Sequence, residues 1–210
     1  MSSKAEESPV IVVKVGGSLL DWPGLRASLA AFLTSDLLLE RRSPRLVLIA
    51  GGGAAADSVR TLDAAHGLGE RLAHHLALRA MDLTAEVLGG LVAKSRVVDD
   101  FAGLDAAWRE GVRPILAPRR HLEEVDERGD DPLPISWRTT SDAIAARVAV
   151  RLGAARLILL KSAPCVSTTR RAAAESGLVD PVFPSAAEGL GRVEFVAFRE
   201  PVWELRLVPS

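Results

Sequence analysis

Two short apolar runs, each ended by glycines, dominate the first quarter of the chain. Val10–Val15 (VIVVKV) ends at Gly16-Gly17, and residues 46–50 (LVLIA) end at Gly51-Gly52-Gly53. Runs that are apolar on both faces are typical of buried parallel strands. Between them, residues 23–40 place leucines and a phenylalanine at helical spacing. The pattern therefore predicts a strand, a crossover helix and a parallel strand.

The alternation of helix and strand continues to the end of the chain and predicts an α/β protein. Hydrophobic periodicity predicts helices over 70–92, 104–110 and 141–152, and strands over 113–117, 156–160, 193–198 and 202–208. Residues 119–134 are rich in charge, glycine and proline, so we expect an exposed excursion that separates two lobes. We expect a disordered segment over 1–9, then lobes 10–134 and 135–210 in one continuous domain.

Charge and cysteine content narrow the class of protein. The 210 residues carry 26 basic and 27 acidic side chains without a basic run, which disfavours duplex nucleic acid and anionic membranes as partners. No apolar run approaches the roughly 20 residues that span a bilayer. Cys165 is the single cysteine, so it forms neither an intramolecular disulfide nor a CxxC site. We expect a reducing, cytoplasmic compartment.

The first glycine turn has the composition of a phosphate site. Lys14 lies near the end of an apolar strand and is followed by Gly16, Gly17 and Ser18. Glycines let backbone amides approach an anion, and a lysine supplies a mobile positive charge. The alternative is a tight turn with a lysine that reaches solvent. The functional interpretation is favoured because burying an ammonium without an anionic partner is costly.

The second turn admits a dinucleotide interpretation. Gly51, Gly53 and Ala56 match GxGxxA, and Glu70 lies about 20 residues further on. That fingerprint normally occupies the first strand-helix turn, and no second strand precedes Glu70. We therefore disfavour a dinucleotide site.

A third segment places hydroxyl and acidic side chains before an alanine-rich helix. Thr140 or Ser141 suits the helix N-cap, and Asp142 favours the helix dipole, so capping alone explains these residues. The functional hypothesis is that Asp142 pairs with Lys14 and Lys161 and holds their ammonium groups towards a transferring phosphate. Lys161 also has the alternative of a strand-end lysine that reaches solvent.

Together, KVGGS, GGG and TTSDAIAARVA resemble the amino acid kinase family over about residues 10–161. The resemblance implies an open αβα sandwich around a mainly parallel sheet, with a phosphoryl-acceptor side in the first lobe and a nucleotide side in the second. The short length and residues 137–142 look most like small archaeal and bacterial members, among them the aminomethylfuran-phosphate kinases, and the molybdenum storage proteins are similar in outline.

The resemblance also implies roles for single residues. Lys14, Asp142 and Lys161 would be catalytic, and Gly16, Gly17 and Ser18 would line the nucleotide phosphates. The acceptor side would be formed by Gly51, Gly52, Gly53, His74, Thr140 and Ser141. The implied reaction moves the γ-phosphoryl group of ATP, with Mg²⁺, to a small molecule that carries phosphate or carboxylate. A homodimer or higher homo-oligomer is expected, alone or with a paralogous subunit.

One turn departs from the family pattern. Members commonly follow the strand equivalent to residues 156–160 with a TDVDG-like or KVDG-like turn, whereas this chain has KSAPCV from Lys161. Asp180-Pro181 is the expected counterpart of a later DP pair. Three explanations stay open: the nucleotide is held differently, it is bound poorly, or the protein is a non-catalytic nucleotide-binding, storage or regulatory relative.

Other side chains invite functional interpretations that we disfavour. His74 and His75 are adjacent on a helix, so their side chains diverge and suit a metal poorly. A substrate contact from His74 and a surface role for His75 are favoured. His121 is expected in a solvated loop, and Cys165 is expected to pack. Tryptophans 108, 137 and 203 are expected to be packing anchors, with Trp137 near enough to Asp142 to border a substrate.

Overall fold

A seven-stranded sheet forms the centre of the molecule. The computed structural model describes residues 8–38 and 44–210. The strands are β1 (Val10–Val15), β2 (Arg45–Ala50), β3 (Ser95–Val98), β4 (Arg113–Leu116), β5 (Arg156–Lys161), β6 (Val193–Ala197) and β7 (Arg206–Leu207). Their order is β3-β4-β2-β1-β5-β6-β7. Only the β6–β7 pair is antiparallel, so the predicted mainly parallel α/β architecture is confirmed.

Helices cover both faces of this sheet. They are α1 (Leu25–Phe32), α2 (Gly53–His66), α3 (Glu70–Leu91), α4 (Phe101–Arg109), α5 (Arg119–His121), α6 (Ser141–Arg151), α7 (Arg170–Glu175) and α8 (Phe183–Ala186). A single turn of 3-10 helix, Gly17–Leu19, follows β1. No helix among residues 8–38 and 44–210 is both long enough and apolar enough to cross a bilayer.

The side chains of β1 alternate between two separate cores. Val12 packs in a cluster with the alanines of α6, whereas Val13 packs in a second cluster with Phe32 of α1. This two-residue alternation is the geometry of a strand covered on both faces. Lys14 follows Val12 by two residues, so β1 directs Lys14 towards α6.

Two predictions from the pattern were wrong. The first helix ends at Phe32, because the Thr34 hydroxyl bonds to the Ala30 and Ala31 carbonyls and Ser35 bonds to Phe32, which closes the turn. The rest of its predicted range runs on to residues 39 and 40, which lie outside the described residues. Likewise, the last strand is limited to Arg206–Leu207, with a further bond from the Val208 amide to the Val193 carbonyl (2.9 Å), and residues 202–205 do not extend it.

The segment 119–134 is not simply an exposed excursion. It forms α5 and a turn of π-helix, Leu122–Asp126, and it buries Leu122 and Leu133 against the α6 cluster. Asp126 accepts a hydrogen bond from the Leu133 amide (2.8 Å) and lies 3.4 Å from Arg147 of α6. The charged composition predicted exposure, but Asp126 can be buried because it pairs with Arg147, which is distant in the chain.

Candidate active site

Two lysines from neighbouring strands converge on one carboxylate. Lys14 Nζ lies 2.9 Å from Asp142 Oδ1, and Lys161 Nζ lies 2.6 Å from Asp142 Oδ2. Strand alternation explains the convergence, since Leu157 and Leu159 pack in the α6 cluster and Lys161 follows two residues later on the same face. The predicted pairing of Asp142 with both lysines is therefore present, and Lys161 does not reach out to solvent.

With two lysines and one aspartate, this buried triad has one more positive than negative charge. Lys14 and Asp142 are only 3% and 5% exposed. Burial by itself raises the pKa of Asp142, but the charges of Lys14 and Lys161 outweigh that cost and hold its pKa below the ordinary value. Burial and the neighbouring Lys14 charge lower the pKa of Lys161. An incoming anion would relieve the repulsion between the two lysines.

The lysines keep hydrogen-bond donors for such an anion. An ammonium has three N–H donors. Lys161 uses two of them, on Asp142 and on the Leu178 carbonyl (2.7 Å), and Lys14 forms an ion pair with Asp142. Each ammonium therefore keeps at least one N–H donor that none of the described residues uses, and phosphate oxygens could accept from it.

The glycine turns after β1 and β2 pack directly against each other. A Cβ added to Gly17 would lie 2.4 Å from the Gly53 amide nitrogen, and one added to Gly53 would lie 2.9 Å from the Gly17 carbonyl. Gly53 also has a φ of +50°, which favours glycine. The sequence favoured anion binding over a tight turn for the first of these turns, but contact between the two turns already requires glycine at both positions.

A distant aspartate caps the helix that carries Asp142. Asp180 Oδ2 accepts from the Thr140 hydroxyl (2.7 Å), the Thr140 amide (3.2 Å) and the Ala143 amide (3.0 Å). Thr140 is the N-cap by position, yet its side chain makes no capping bond. Burial raises the pKa of Asp180, and the bonds from Thr140 and Ala143 oppose that rise. The predicted N-cap position of Thr140 is therefore confirmed, but the capping bonds come from Asp180 and not from the Thr140 side chain.

A cavity of about 260 Å³ opens beside these elements. Its walls come from both glycine turns and from helices α2, α3 and α6, and the polar residues that line it are Gly17, Ser18, Gly52, Gly53, Asp57, Arg60, His74, Trp137, Thr139, Thr140 and Ser141. Gly16 and Gly51 do not line it, because their amides bond to Leu160 O (2.9 Å) and Val15 O (2.8 Å) in the sheet. The other predicted phosphate and acceptor residues line it, whereas the predicted catalytic residues Lys14, Asp142 and Lys161 do not.

The sequence did not indicate Asp57 or Arg60 as residues of the site. For Trp137 it predicted packing near a substrate, whereas the structure shows that Trp137 lines the cavity and contacts Arg60. The Arg60 guanidinium lies 4.2 Å from the centre of the Trp137 ring, and Trp137 Nε1 donates to Asp63 (2.7 Å). The available signal was helical spacing, since 57, 60 and 63 recur every three residues along α2.

The three histidines of this region lie in different surroundings, and the substrate contact of His74 stays a prediction. His74 lines the cavity and its Nδ1 donates to Ser136 O (3.3 Å), while burial lowers its pKa. His75 pairs with Glu127 instead (3.0 Å). His121 is buried and stacks on Phe101 with ring centres 4.2 Å apart, so the expectation of a solvated loop was wrong.

The remaining alternatives find no support in the geometry. Glu70 begins α3 and follows no strand, so it cannot hold a ribose in the manner of the dinucleotide fingerprint. Cys165 is buried with only a long contact to the Ser167 carbonyl (3.9 Å). Within residues 8–38 and 44–210, no group of three or more His, Cys, Asp or Glu side chains could hold a metal ion.

Comparisons with known proteins agree with this geometry. The chain is 28% identical over 149 residues to the [5-(aminomethyl)furan-3-yl]methyl phosphate kinase of Methanocaldococcus jannaschii, which covers 70% of this chain and 63% of that protein. The match therefore spans less than two thirds of the relative's length.

Solved structures share the fold at lower identity. UMP kinase from Ureaplasma parvum has a TM-score of 0.62 at 13% identity, over 97% of this chain and 100% of the other. Aspartate kinase from Synechocystis has a TM-score of 0.65 at 16% identity, over 96% of this chain and 40% of the other. The model of the amino acid kinase family matches residues 9–174. The chain therefore belongs to the amino acid kinase family.

Proposed function

We propose that the protein is an ATP-dependent kinase that transfers the γ-phosphoryl group to a small acceptor carrying phosphate or carboxylate. The observation that carries the proposal is the buried Lys14–Asp142–Lys161 triad with its net positive charge. Asp142 directly follows Ser141, which lines the cavity together with residues of both glycine turns. The furan phosphate named for the Methanocaldococcus relative is the first acceptor to test.

The chemistry needs alignment and charge neutralisation. An acceptor oxygen attacks the γ-phosphorus, the bond to the β–γ bridging oxygen breaks, and ADP leaves with its electron pair. No covalent intermediate with the protein is required. Lys14 and Lys161 offer their free N–H donors to the phosphoryl oxygens, where charge develops. Asp142 fixes both lysines and opposes the fall in the pKa of Lys161 that burial and the Lys14 charge cause.

Magnesium would enter with the nucleotide. Asp142 gives both carboxylate oxygens to lysines, and Asp180 gives its oxygens to hydroxyl and amide donors. Neither is arranged as a metal ligand, so the phosphate oxygens of ATP would hold Mg²⁺, which neutralises part of their charge.

The test compares Lys14→Met with Lys94→Met. Lys94 is an exposed lysine outside the cavity, so it serves as the matched control. We expect the wild type to bind MgATP by calorimetry and to release ADP with the furan phosphate. Lys14→Met should lose turnover about 10²- to 10³-fold with an unchanged circular dichroism spectrum. Full turnover by Lys14→Met would contradict the mechanism.

A non-catalytic relative is the second candidate, and the altered turn after β5 favours it. Within that turn, Ser162 contacts Ser18 through their hydroxyls (2.9 Å), where the family pattern has an acidic residue and glycine. Calorimetry separates the two proposals. Binding of MgATP without turnover would support the non-catalytic role, and no binding at millimolar nucleotide would exclude the kinase.

A further inference from the structure

A third positive charge lies at the carboxyl edge of the sheet, beside the two lysines of the triad. Lys14 belongs to β1, Lys161 ends β5, and Arg199 follows the end of β6 by two residues. These three strands are parallel neighbours in the order β1-β5-β6. Ligands of open α/β sheets bind at the carboxyl ends of the strands. Arg199 therefore extends the positive charge of the triad towards β6.

Backbone and side-chain bonds place Arg199 over the end of β5. The Phe198 amide donates to the Lys161 carbonyl (2.7 Å), so the chain stays beside β5 after β6 has ended. Arg199 Nη2 then donates to the Ser18 carbonyl (2.7 Å) in the turn after β1. Because β5 lies between β1 and β6, the side chain of Arg199 crosses the end of β5. There the hydroxyl of Ser162 contacts that of Ser18 (2.9 Å).

Arg199 keeps most of its hydrogen-bond donors for a ligand. A guanidinium has five N–H donors in a planar fork. Within residues 8–38 and 44–210, the Arg199 side chain bonds to the Ser18 carbonyl and forms no ion pair. The next residue, Glu200, instead lines a separate pocket with Pro164 and Cys165. An exposed guanidinium without a carboxylate partner is suited to a phosphate, which can accept two of its N–H bonds.

The position of Arg199 relative to the cavity assigns it to one end of the reaction. The cavity takes its lining from the turns after β1 and β2, from α2 and α3, and from residues 137–144. Arg199 lies on the opposite side of β1, beyond β5. Phosphoryl transfer needs the acceptor and the leaving group roughly in line, on opposite sides of the transferring phosphorus. With the acceptor in the cavity, the leaving β-phosphate lies towards β5 and β6.

From this placement we infer that Arg199 binds the β-phosphate of the nucleotide, with the hydroxyls of Ser18 and Ser162 beside it. Arg199 thereby acts on the leaving group of the proposed kinase, on which the inference rests. The altered turn after β5 gains a role as well, because the Ser162 hydroxyl can donate to a phosphate oxygen, whereas the carboxylate of the family pattern cannot. The guanidinium stabilises the charge that develops on ADP as it leaves.

The experiment compares Arg199→Gln and Arg199→Lys with Arg26→Gln. Glutamine keeps N–H donors for the Ser18 carbonyl but loses the charge, and lysine keeps the charge. Arg26 is the matched control, because it is an exposed arginine of α1 that bonds to the Gly90 carbonyl (2.8 Å) and does not line the cavity. MgADP binding is measured by calorimetry. The KM values for ATP and for the furan phosphate are measured from ADP release.

We expect Arg199→Gln to weaken MgADP binding and to raise the KM for ATP, each about tenfold, and to leave the KM for the furan phosphate unchanged. Arg199→Lys should recover part of the affinity, and Arg26→Gln should bind MgADP as the wild type does.

Three results overturn the inference: wild-type MgADP affinity in Arg199→Gln, an affinity of Arg199→Lys no higher than that of Arg199→Gln, or an equal loss in Arg26→Gln. MgADP binding that depends on Arg199 without any turnover would refute the kinase alone. Turnover by Arg199→Gln with the wild-type KM for ATP would refute the role of Arg199 alone. No MgADP binding by the wild type would refute both.

Discussion

Two alanine-rich helices, α2 and α6, border the same cavity, but they differ in how much of their surface is buried. Seven of the eleven residues of α6 are buried, whereas α2 buries none of its fourteen. The buried helix carries Asp142, which pairs with two lysines, whereas Asp57 and Arg60 of the exposed helix form no ion pair with any residue that the structure describes. In the proposed kinase, the reaction chemistry thus depends on the constrained helix.

The largest difference in stability and turnover should come from replacing Asp142 of α6 and Asp57 of α2. Asp142→Asn leaves two buried ammonium groups facing each other without an anion, so the free energy of unfolding should fall by about 3–5 kcal/mol. Turnover should fall about 10²- to 10³-fold. Asp57→Asn should change unfolding by less than about 0.5 kcal/mol. Urea denaturation measures the free energy of unfolding, and ADP release measures turnover. Equal losses of stability in the two variants would contradict the predicted difference between α6 and α2.

A second comparison enlarges one alanine on each helix. Ala146 is fully buried in α6, so Ala146→Leu should overpack the core and cost about 1–3 kcal/mol. Ala64 is exposed on α2, and Ala64→Leu should stay within about 0.5 kcal/mol of the wild type. Thermal and urea unfolding check the pair. Similar losses in both variants would show that α2 is more constrained than its exposure indicates.

The start of α6 offers a smaller effect. Asp180→Ala removes the acceptor of the Thr140 and Ala143 amides, and loss of such a cap costs about 1–2 kcal/mol. Turnover should fall with stability, because Asp142 lies in the first turn. Asp180→Asn keeps an acceptor oxygen and should restore part of both quantities. A mutant with wild-type stability would mean that water replaces the cap.

The smallest expected effect is a dependence on pH. Burial lowers the pKa of His74 below its ordinary 6.5, so the fold favours the neutral ring. This stability is complete above pH 6.5 and declines as pH falls below it, by less than about 1.4 kcal/mol per pH unit. His74→Gln keeps a donor for Ser136 and should reduce the loss between pH 7.5 and 5.5 in urea titrations. His121, whose pKa burial also lowers, retains the rest.

The sequence predicted the regular part of the fold well because its signals were local. The bounds of β1, the long helix α3 and the helix α6 followed from apolar runs, periodicity and glycine stops. The strand Ser95–Val98 and helices α7 and α8 were missed, since short elements without a long apolar run carry little local signal. The helix after β1 was predicted too long because hydroxyls at Thr34 and Ser35 close it.

The sequence indicated only those site residues that lie in or beside the recognisable motifs. Lys14, Asp142 and Lys161 were found because a lysine inside an apolar strand needs a partner, and strand alternation then aims both lysines at α6. Asp57 and Arg60 were not found, because charges on an exposed helix are ordinary until a cavity is known to lie beside them. The packing of His121 depended on residues far away in the chain.

The bond from Asp180 to the start of α6 also bears on the order of assembly. The triad spans residues 14 to 161, and the cap that completes α6 comes from residue 180. Contacts between residues so distant in the chain form slowly, because loop closure must precede them. We therefore expect β1, α1 and β2, which are neighbours in the chain, to associate before the site forms. On a ribosome, the site of the proposed kinase would be complete only after most of the chain has emerged.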